Sequence, residues 1–336
     1  MTIESLAFLT PGNYLDADPA AGLEDTLRLI AFGEGLGYRG AWVRQRHLEH
    51  GISSAAVFLG AASQRTSTIE LGTAVIPIGY ENPFRLAEDL SLADALSRGR
   101  LQPGFSTGMP HADLLADVVF DGDWRAYELG HARVARTVEH LRGAFLGGED
   151  ARIESPGNVQ RPRLQPHTPG LADRSWYGGT SLGSSRWTGE AGLHLLTGNI
   201  VSAAGIDSDD FGTVQATLVD AYRAAGGAGK RVAVGRVIVP TDSADRATVA
   251  RYREYVRSRH DRTLTAHGEK RTLFAEDLVG PIAEIAERLA ADPAFSPESG
   301  PVTEFRLELP YEFDVRDYEQ ILTDARGLLP ALSSAA

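Results

Sequence analysis

The chain of 336 residues contains no cysteine. It therefore has no disulfide, no thiolate metal ligand and no cysteine nucleophile. It also lacks an uninterrupted apolar run near the roughly 20 residues of a membrane span. The first residues, MTIESLAFLT, carry no basic region typical of a signal peptide. We therefore expect a cytoplasmic protein with no membrane partner.

Basic residues are in the minority. The chain has 33 Lys and Arg against 45 Asp and Glu, which gives a formal net charge of -12. Such a balance disfavours binding to nucleic-acid phosphates and to anionic membranes. The hydrophobic fraction of 43% is ordinary for a globular protein, and the length suffices for a large core. Composition thus favours an enzyme with a small-molecule substrate and no nucleic-acid partner.

Short apolar runs alternate with amphipathic helical patterns along the whole chain. The predicted strands are 6–9, 40–43, 69–76, 101–106, 175–178, 193–197, 232–239 and 304–309. Most of them are continuously apolar, as expected of parallel strands covered on both faces. Eight β/α repeats predict a single α/β domain over residues 1–336, a (β/α)8 TIM barrel. An open sheet of six or seven strands is the alternative.

The helical patterns have apolar residues three and four positions apart, which is the period of one buried stripe. The stripes are Leu23, Leu27, Ile30 and Ala31; Val134, Val138, Leu141 and Phe145; and Ile282, Ile285, Ala286 and Leu289. Asn82 followed by Pro83 predicts the start of a helix that continues to Leu96, and Pro281 predicts another start.

Two segments are longer than ordinary connections. Residues 147–174 contain four prolines, and residues 240–280 are locally rich in arginine. Long insertions after barrel strands are typical of lids and binding loops. We expect both to be insertion or lid segments, the second lying over the barrel mouth. A solvated helix pair without function is the alternative for the second.

Two short motifs favour other chemistries. Gly104-Phe105-Ser106-Thr107-Gly108 matches the nucleophile elbow of hydrolases, but Met109-Pro110-His111 follows where an elbow requires a helix. His47, Glu49 and His50 are possible zinc ligands, but no second His/Asp cluster follows another strand. We interpret the first motif as glycines that let a ligand approach a strand end, and the second as a pocket-lining loop. We predict no metal site.

The segment from Trp176 to Ser185 has the clearest ligand-binding pattern. A predicted strand runs into glycines and hydroxyl side chains, and a helical pattern follows near Ser184. Glycines leave backbone N–H groups open to an anion, and a helix N-terminus adds about half a positive charge. The pattern predicts a phosphate site that includes Ser181 and Ser184. A capped helix that binds nothing is the alternative.

Several segments share the order and spacing of a known family. They are residues 36–43 followed by Arg46 and His47, then 69–75, 82–89 and 96–101, and finally 178–185 with Trp187, Gly192 and Leu193. Through them the chain resembles the bacterial-luciferase-like flavin-dependent monooxygenases over nearly its whole length. The resemblance implies a TIM barrel, usually dimeric, with a reduced flavin at its mouth.

The resemblance also implies a set of cofactor-binding residues. These are Ala74, Val75 and Ser106 beside the flavin ring, Thr107, Gly179, Thr180, Ser181 and Ser184 at the phosphate, and Gly178 in the same segment. A non-proline cis peptide is expected near Ala74 and Val75. Thr107 stands where family members commonly have arginine, so we expect weaker FMN binding unless another residue substitutes.

The resemblance implies a monooxygenase that uses reduced FMN and O2 on a small organic substrate. A flavin reductase or NAD(P)H would supply the reduced flavin, and a homodimer is expected. Our catalytic candidates are His47, as a polar group near the reacting face, and Arg46, as an anion or carbonyl contact. Arg46 stands where a luciferase has its catalytic histidine and cannot serve as a base, so light emission is not expected. FAD or a deazaflavin cofactor, a deazaflavin-dependent dehydrogenase and a non-catalytic flavin-binding protein are the alternatives.

Overall fold

The computed structural model of the chain describes residues 3–296, 298 and 300–335, with side chains to residue 332. Within this part of the chain eight parallel strands form the main sheet. They are β1 (Ser5–Thr10), β2 (Gly40–Val43), β3 (Glu70–Thr73, continued by Ile76–Pro77), β4 (Leu101–Gln102, continued by Gly104–Ser106), β5 (Trp176–Gly178), β6 (His194–Thr197), β7 (Val232–Arg236) and β8 (Glu304–Glu308).

The sheet closes on itself. Each strand pairs in parallel with the next one in the chain, and β8 pairs with β1 from Ser5 opposite Glu304 to Leu9 opposite Glu308. Both halves of β3 pair with the corresponding halves of β4. A ring of eight parallel strands with helices outside it is a TIM barrel, so the predicted fold class is confirmed.

Two strands that the apolar pattern predicts as continuous are interrupted. β3 breaks at Ala74 and Val75, and the peptide bond between them is cis, as expected. The Ala74 N–H still donates to the Val43 carbonyl oxygen at 2.8 Å, so the interruption stays attached to β2. β4 breaks at Pro103, because proline has no N–H to donate to a neighbouring strand.

The helices surround the barrel. They are α1 (Pro19–Gly35), α2 (Ala55–Ser63), α3 (Pro83–Ser97), α4 (Ala112–Val119), α5 (His131–Leu141), α6 (Leu182–Glu190), α7 (Phe211–Tyr222), α8 (Arg246–Ser258), α9 (Ile282–Ala290), α10 (Val315–Ala325) and α11 (Leu328–Ala335). Asn82 caps α3 as predicted, because its side-chain oxygen accepts from the N–H groups of Phe84 and Arg85. The stripe predicted through Phe145 is wrong at its end, since α5 stops at Leu141 and Phe145 is 44% exposed.

The interior of the barrel is filled below its mouth. Trp42 and Trp176 are fully buried there, with their rings edge to face and 5.3 Å apart between centroids. Gly72 makes room for the first indole, because an added Cβ would lie 2.2 Å from the Trp42 ring. These two indoles therefore fill the centre of the barrel.

The two predicted insertions differ in position. Residues 147–174 include an exposed hairpin of two strands, Ile153–Ser155 and Asn158–Gln160. In the second segment, Thr272–Phe274 pairs antiparallel with Ile200–Ser202, which follows β6 at the barrel mouth. The predicted strand 232–239 is too long, because β7 ends at Arg236 and Ile238–Pro240 pairs with Leu278–Gly280 outside the barrel.

One carboxylate couples the stability of the barrel to pH. Partial burial pushes the pKa of Glu34 upward, but N–H groups of Thr68, Ile69 and Ser67 and the Thr68 hydroxyl outweigh it and lower the pKa to about 2. A carboxyl whose pKa is depressed in the folded state stabilises that state above its unfolded pKa. This stabilisation is lost as the pH falls from about 4.5 toward 2.

We expect Glu34→Gln to lower the free energy of unfolding by about 1–2 kcal/mol at pH 7, after allowance for solvent screening. The difference from the wild type should shrink as the pH falls below 4.5. Urea unfolding of both proteins from pH 7 down to about pH 3 measures it. A difference that does not change with pH would contradict the assignment to this carboxylate.

Candidate active site

A cavity of about 670 Å³ opens at the carboxyl ends of the barrel strands. Its lining comes from residues of β1, β3 to β6 and β8, from the loops that follow strands, and from the segment after β7. This face of a TIM barrel is where active sites are found. The cavity is therefore the candidate active site.

One half of the cavity wall is uncharged. β3, β4 and β5 and the loops after them contribute Ala74, Val75, Pro77, Ser106, Gly108, Met109, Pro110, Gly178 and Thr180. These small and apolar groups suit a flat aromatic ligand, because they allow close approach and carry little competing charge. We call this set the neutral half.

The other half carries five arginines. Arg44 and Arg46 follow β2, Arg306 lies on β8, and Arg259 and Arg262 come from the segment after β7. β7, β8, β1 and β2 are neighbours in the ring, so residues far apart in the chain meet on one side of the mouth. We call these residues the arginine half.

Glu308 is the one carboxylate in the described cavity lining. It accepts a hydrogen bond from Arg44 Nη2 at 2.8 Å. An added Cβ on Gly198 or Gly235 would lie within 2.5 Å of Glu308 Oε1, so both glycines make room for this carboxylate. Tyr311 completes the group, because Arg44 and Arg46 both donate to its hydroxyl.

The structure brings six of the predicted site residues into one cavity. They are Arg46, Ala74, Val75, Ser106, Gly178 and Thr180. Ala74 and Gly178, from two separate predicted segments, line the same cavity. The other predicted site residues are sequence neighbours of lining residues but do not belong to the described lining. They are His47, Thr107, Gly179, Ser181 and Ser184.

The predicted phosphate residues form a capping box at the start of α6. Ser181 caps the helix by accepting from the Ser184 N–H, and Ser184 Oγ accepts from the N–H groups of Thr180 and Ser181 at 3.1 and 3.0 Å. These donors are therefore already used, and Thr180, which is exposed, is the hydroxyl-bearing residue of this segment that lines the cavity. Gly179 is packed, since an added Cβ would lie 2.5 Å from Leu195 Cδ1.

Thr107 belongs to a cluster beside the neutral half. Its hydroxyl lies 3.1 Å from the Tyr177 hydroxyl, which is 3.0 Å from His131 Nε2. The imidazole stacks on Trp187 with 4.1 Å between ring centroids. Burial lowers the pKa of His131 and raises that of Tyr177, so both are neutral at pH 7. No sequence motif indicates this cluster.

His47 does not belong to the described cavity lining. Its ring lies edge to face with the Tyr80 ring, with 5.3 Å between the centroids. Burial lowers the pKa of its imidazole, which favours the neutral form at pH 7. Its Nε2 lies 3.3 Å from the Gln45 amide nitrogen. Its role at a reacting face remains a prediction.

The hydrolase and metal interpretations gain no support from the geometry. Within the described residues, no hydrogen bond joins Ser106 to a histidine, and α4 begins only at Ala112. His47, Glu49 and His50 do not converge, because Glu49 pairs with Arg46 and His50 with Asp16. In the described part of the chain, no three His, Asp or Glu side chains are placed to share a metal ion.

Sequence reasoning indicated Arg46 and the arginine-rich segment that contains Arg259 and Arg262, but it missed the rest of this wall. Arg44, Arg306, Glu308 and Tyr311 belong to none of the motifs discussed above. The alternation of Glu304, Arg306 and Glu308 along β8 is the available signal, because a period of two places all three on one face of a strand.

Comparison with known proteins identifies the family. A family model described as luciferase-like monooxygenase matches residues 1–296. The chain belongs to this family. Limonene 1,2-monooxygenase of Rhodococcus erythropolis is 36% identical over 195 residues, which cover 54% of this chain and 50% of that protein. 4-Hydroxyprotoasukamycin monooxygenase of Streptomyces nodosus subsp. asukaensis is 34% identical over 162 residues, 47% of this chain and 42% of that protein. The matched segments thus span about half the length of these relatives.

Solved structures share the fold of this family member. The oxygenating constituent of 3,6-diketocamphane monooxygenase from Pseudomonas putida, in complex with FMN, superposes with a TM-score of 0.64 at 14% identity, covering 99% of both chains. An F420-dependent secondary alcohol dehydrogenase in complex with an F420–acetone adduct gives 0.60 at 15% identity, covering 98% of this chain and 99% of the other. At such identities the likeness shows the fold alone.

Length and apolarity together rule out a membrane-crossing helix in the described part of the chain.

Proposed function

We propose that this chain is a flavin-dependent monooxygenase that acts with reduced FMN and O2 on a small organic substrate. The observation that carries the proposal is the single cavity joining Ala74 and Val75 to Gly178 and Thr180. These residues come from the family segments that imply a flavin site. The curated relatives named above are both monooxygenases, which favours oxygen chemistry over hydride transfer.

The neutral half fits a flavin ring. Its residues are small or apolar, and Gly178 presents only backbone to the cavity. Thr180 would be the first polar contact of the flavin phosphate, while Ser181 and Ser184 shape the start of α6. When bound, reduced flavin would supply the electrons that activate O2.

The chain's own residues would bind, orient and exclude water. Ala74, Val75 and Pro77 give one wall without hydrogen-bonding side chains, which limits the water beside a bound ring. Arg46 carries a permanent charge at the rim and would contact an anionic or carbonyl group of the substrate. His47 would hold a proton only below its lowered pKa.

A deazaflavin-dependent dehydrogenase is the second candidate. It is favoured by the F420-dependent enzyme that shares the fold and by the absence of arginine at Thr107. The arginine half would suit an acidic cofactor tail. Oxygen consumption separates the two activities, because hydride transfer to or from a deazaflavin does not require O2.

Flavin titration tests the proposal. We expect reduced FMN to bind the purified protein in anaerobic fluorescence titrations, and oxygen uptake to follow when air is admitted with a substrate. Oxidised FMN, FAD and a deazaflavin are titrated in parallel. Saturable binding of the deazaflavin alone would replace the proposal by the second candidate, and absence of binding to all four would reject both.

A reductase that supplies reduced flavin and a homodimer are further parts of the proposal. Val57 on α2 and Leu92 and Leu96 on α3 are 73%, 52% and 48% exposed, and the two helices pack together. Exposed apolar side chains on neighbouring helices are typical of an interface between subunits. Light scattering should give about 72 kDa for a dimer of the 36.1 kDa chain.

A further inference from the structure

Three arginines of the cavity wall carry buried nitrogen atoms without a hydrogen-bond partner among the described residues. These atoms are Arg46 Nε, Arg262 Nε, and Arg306 Nε and Nη1. Buried polar atoms are nearly always paired in folded proteins, and an unpaired one calls for an explanation. The explanation that fits a cavity wall is a ligand that accepts these hydrogen bonds.

Arg306 has two such unpartnered nitrogen atoms, whereas Arg46 and Arg262 have one each. Its side chain is 3% exposed, and its guanidinium carbon lies 5.8 Å from the centroid of the Trp42 ring. The nearest carboxylate oxygen, Glu308 Oε1, is 3.8 Å from Arg306 Nη2, beyond hydrogen-bond distance. A guanidinium keeps its charge when buried, so it needs a compensating anion.

The other arginines of the cavity wall have closer carboxylates. Arg44 pairs with Glu308 at 2.8 Å, and Arg46 pairs with Glu49 at 3.4 Å. Asp277 accepts from Arg259 at 2.6 Å and from Arg262 at 3.4 Å. Arg306 is thus the arginine of this wall with no described carboxylate within hydrogen-bond distance, and a bound anion would supply that partner.

The location of Arg306 separates this anion site from the proposed flavin site. Arg306 lies on β8, while the neutral half belongs to β3, β4 and β5 across the ring. The proposed flavin phosphate contact, Thr180, belongs to the neutral half as well. An anion at Arg306 would therefore come from the second ligand of the cavity, the substrate.

We propose that the substrate is an organic acid whose carboxylate binds Arg306, with the rest of the arginine half around it. Carboxylates match a guanidinium in shape and form charge-assisted hydrogen bonds with it. The inference rests on the proposed function, because it names the substrate class of the same cavity. Arg306 is a substrate-binding residue in this proposal.

Matched acids and amides test the proposal without flavin. Acetate, hexanoate and benzoate are titrated into the purified protein by calorimetry, each beside its neutral amide. We expect at least one acid to bind with one-to-one stoichiometry and at least about tenfold more tightly than its amide. If no acid is preferred over its amide, the proposal is wrong.

Variants of Arg306 locate the site. We expect Arg306→Met to weaken the preferred acid about thirtyfold and its amide little. Arg306→Lys should restore part of the affinity, because it keeps the charge but not the planar group. Arg161→Met is the matched control, since Arg161 also has an unpartnered Nε but lies on Phe145 outside the described cavity lining. Equal acid binding in wild type and Arg306→Met, with both folded, would overturn the proposal.

Circular dichroism detects a loss of folding in Arg306→Met. In that case the preference of Arg306→Lys for the acid over its amide tests the proposal. If Arg306→Lys shows the same ratio of acid affinity to amide affinity as the wild type, the proposal is overturned. A merely structural arginine would change thermal stability without changing this discrimination.

Acid titrations in the presence of FMN distinguish a substrate carboxylate from the flavin phosphate as the anion bound by Arg306. Acid affinity within about threefold in FMN-saturated protein supports a substrate site, while displacement of the acid by FMN assigns Arg306 to the flavin phosphate and overturns the proposal. Flavin binding without acid preference rejects this inference alone. Acid preference without flavin binding rejects the proposed function alone.

Discussion

Replacement of Gly178 by phenylalanine is expected to weaken flavin binding at least about a hundredfold, which corresponds to about 2.7 kcal/mol. Gly178 lies at the end of β5 and lines the cavity opposite Val75. An added Cβ would already contact Val75 Cγ1 at 3.5 Å, so a phenylalanine ring would have to extend past Val75 into the cavity that both residues line. A ring placed there takes the volume that the proposed flavin needs.

Gly178→Ala is the matched control for this experiment. Its Cβ meets only ordinary contacts, 3.5 Å from Val75 Cγ1 and 3.7 Å from the Phe105 carbonyl oxygen. We expect it to bind reduced FMN within about threefold of the wild type. Fluorescence titration gives the affinities, and circular dichroism checks that both variants are folded. Wild-type affinity in a folded Gly178→Phe protein would place the flavin elsewhere.

Asp94→Ala is expected to lower the free energy of unfolding by about 3–5 kcal/mol. Asp94 lies on α3 with a side chain that is 1% exposed. Both of its carboxylate oxygens accept from Arg174 Nη2 at 2.8 Å, and Oδ1 also accepts from the Leu101 N–H. The substitution leaves the Arg174 charge and a strand N–H without their partner.

Asp89→Ala on the same helix is the matched control. Asp89 is 50% exposed and 3.4 Å from Arg85, which is also exposed. We expect a change within about 0.5 kcal/mol, as for most exposed ion pairs. Urea unfolding of the two variants gives the comparison. A similar small effect at both positions would mean that the buried pair contributes nothing beyond a surface one.

The local features of the fold could be predicted from the sequence. Continuous apolar runs mark strands covered on both faces, and their alternation with helical stripes favours a barrel. Asn82 and Pro83 mark the start of α3 because capping depends on adjacent residues. The errors lie where a strand ends: β7 stops at Arg236, although the apolar pattern continues through Val239.

The family and five residues of the neutral half could also be predicted from the sequence. Gly178 and Thr180 belong to one segment, and Ala74 and Val75 to another, and each segment has a recognisable pattern. Their function depends on neighbours along the chain, which is information that a sequence carries directly.

Which charged side chains lie together became clear from the three-dimensional fold. Closure of the barrel places β8 beside β1 and brings Arg306 into the same wall as Arg44 and Arg262. It also shows which carboxylates pair with the other arginines, and that none of the described ones lies within hydrogen-bond distance of Arg306. Electrostatic balance depends on distances through space, and residues that are hundreds of positions apart in the chain have no pattern that records those distances.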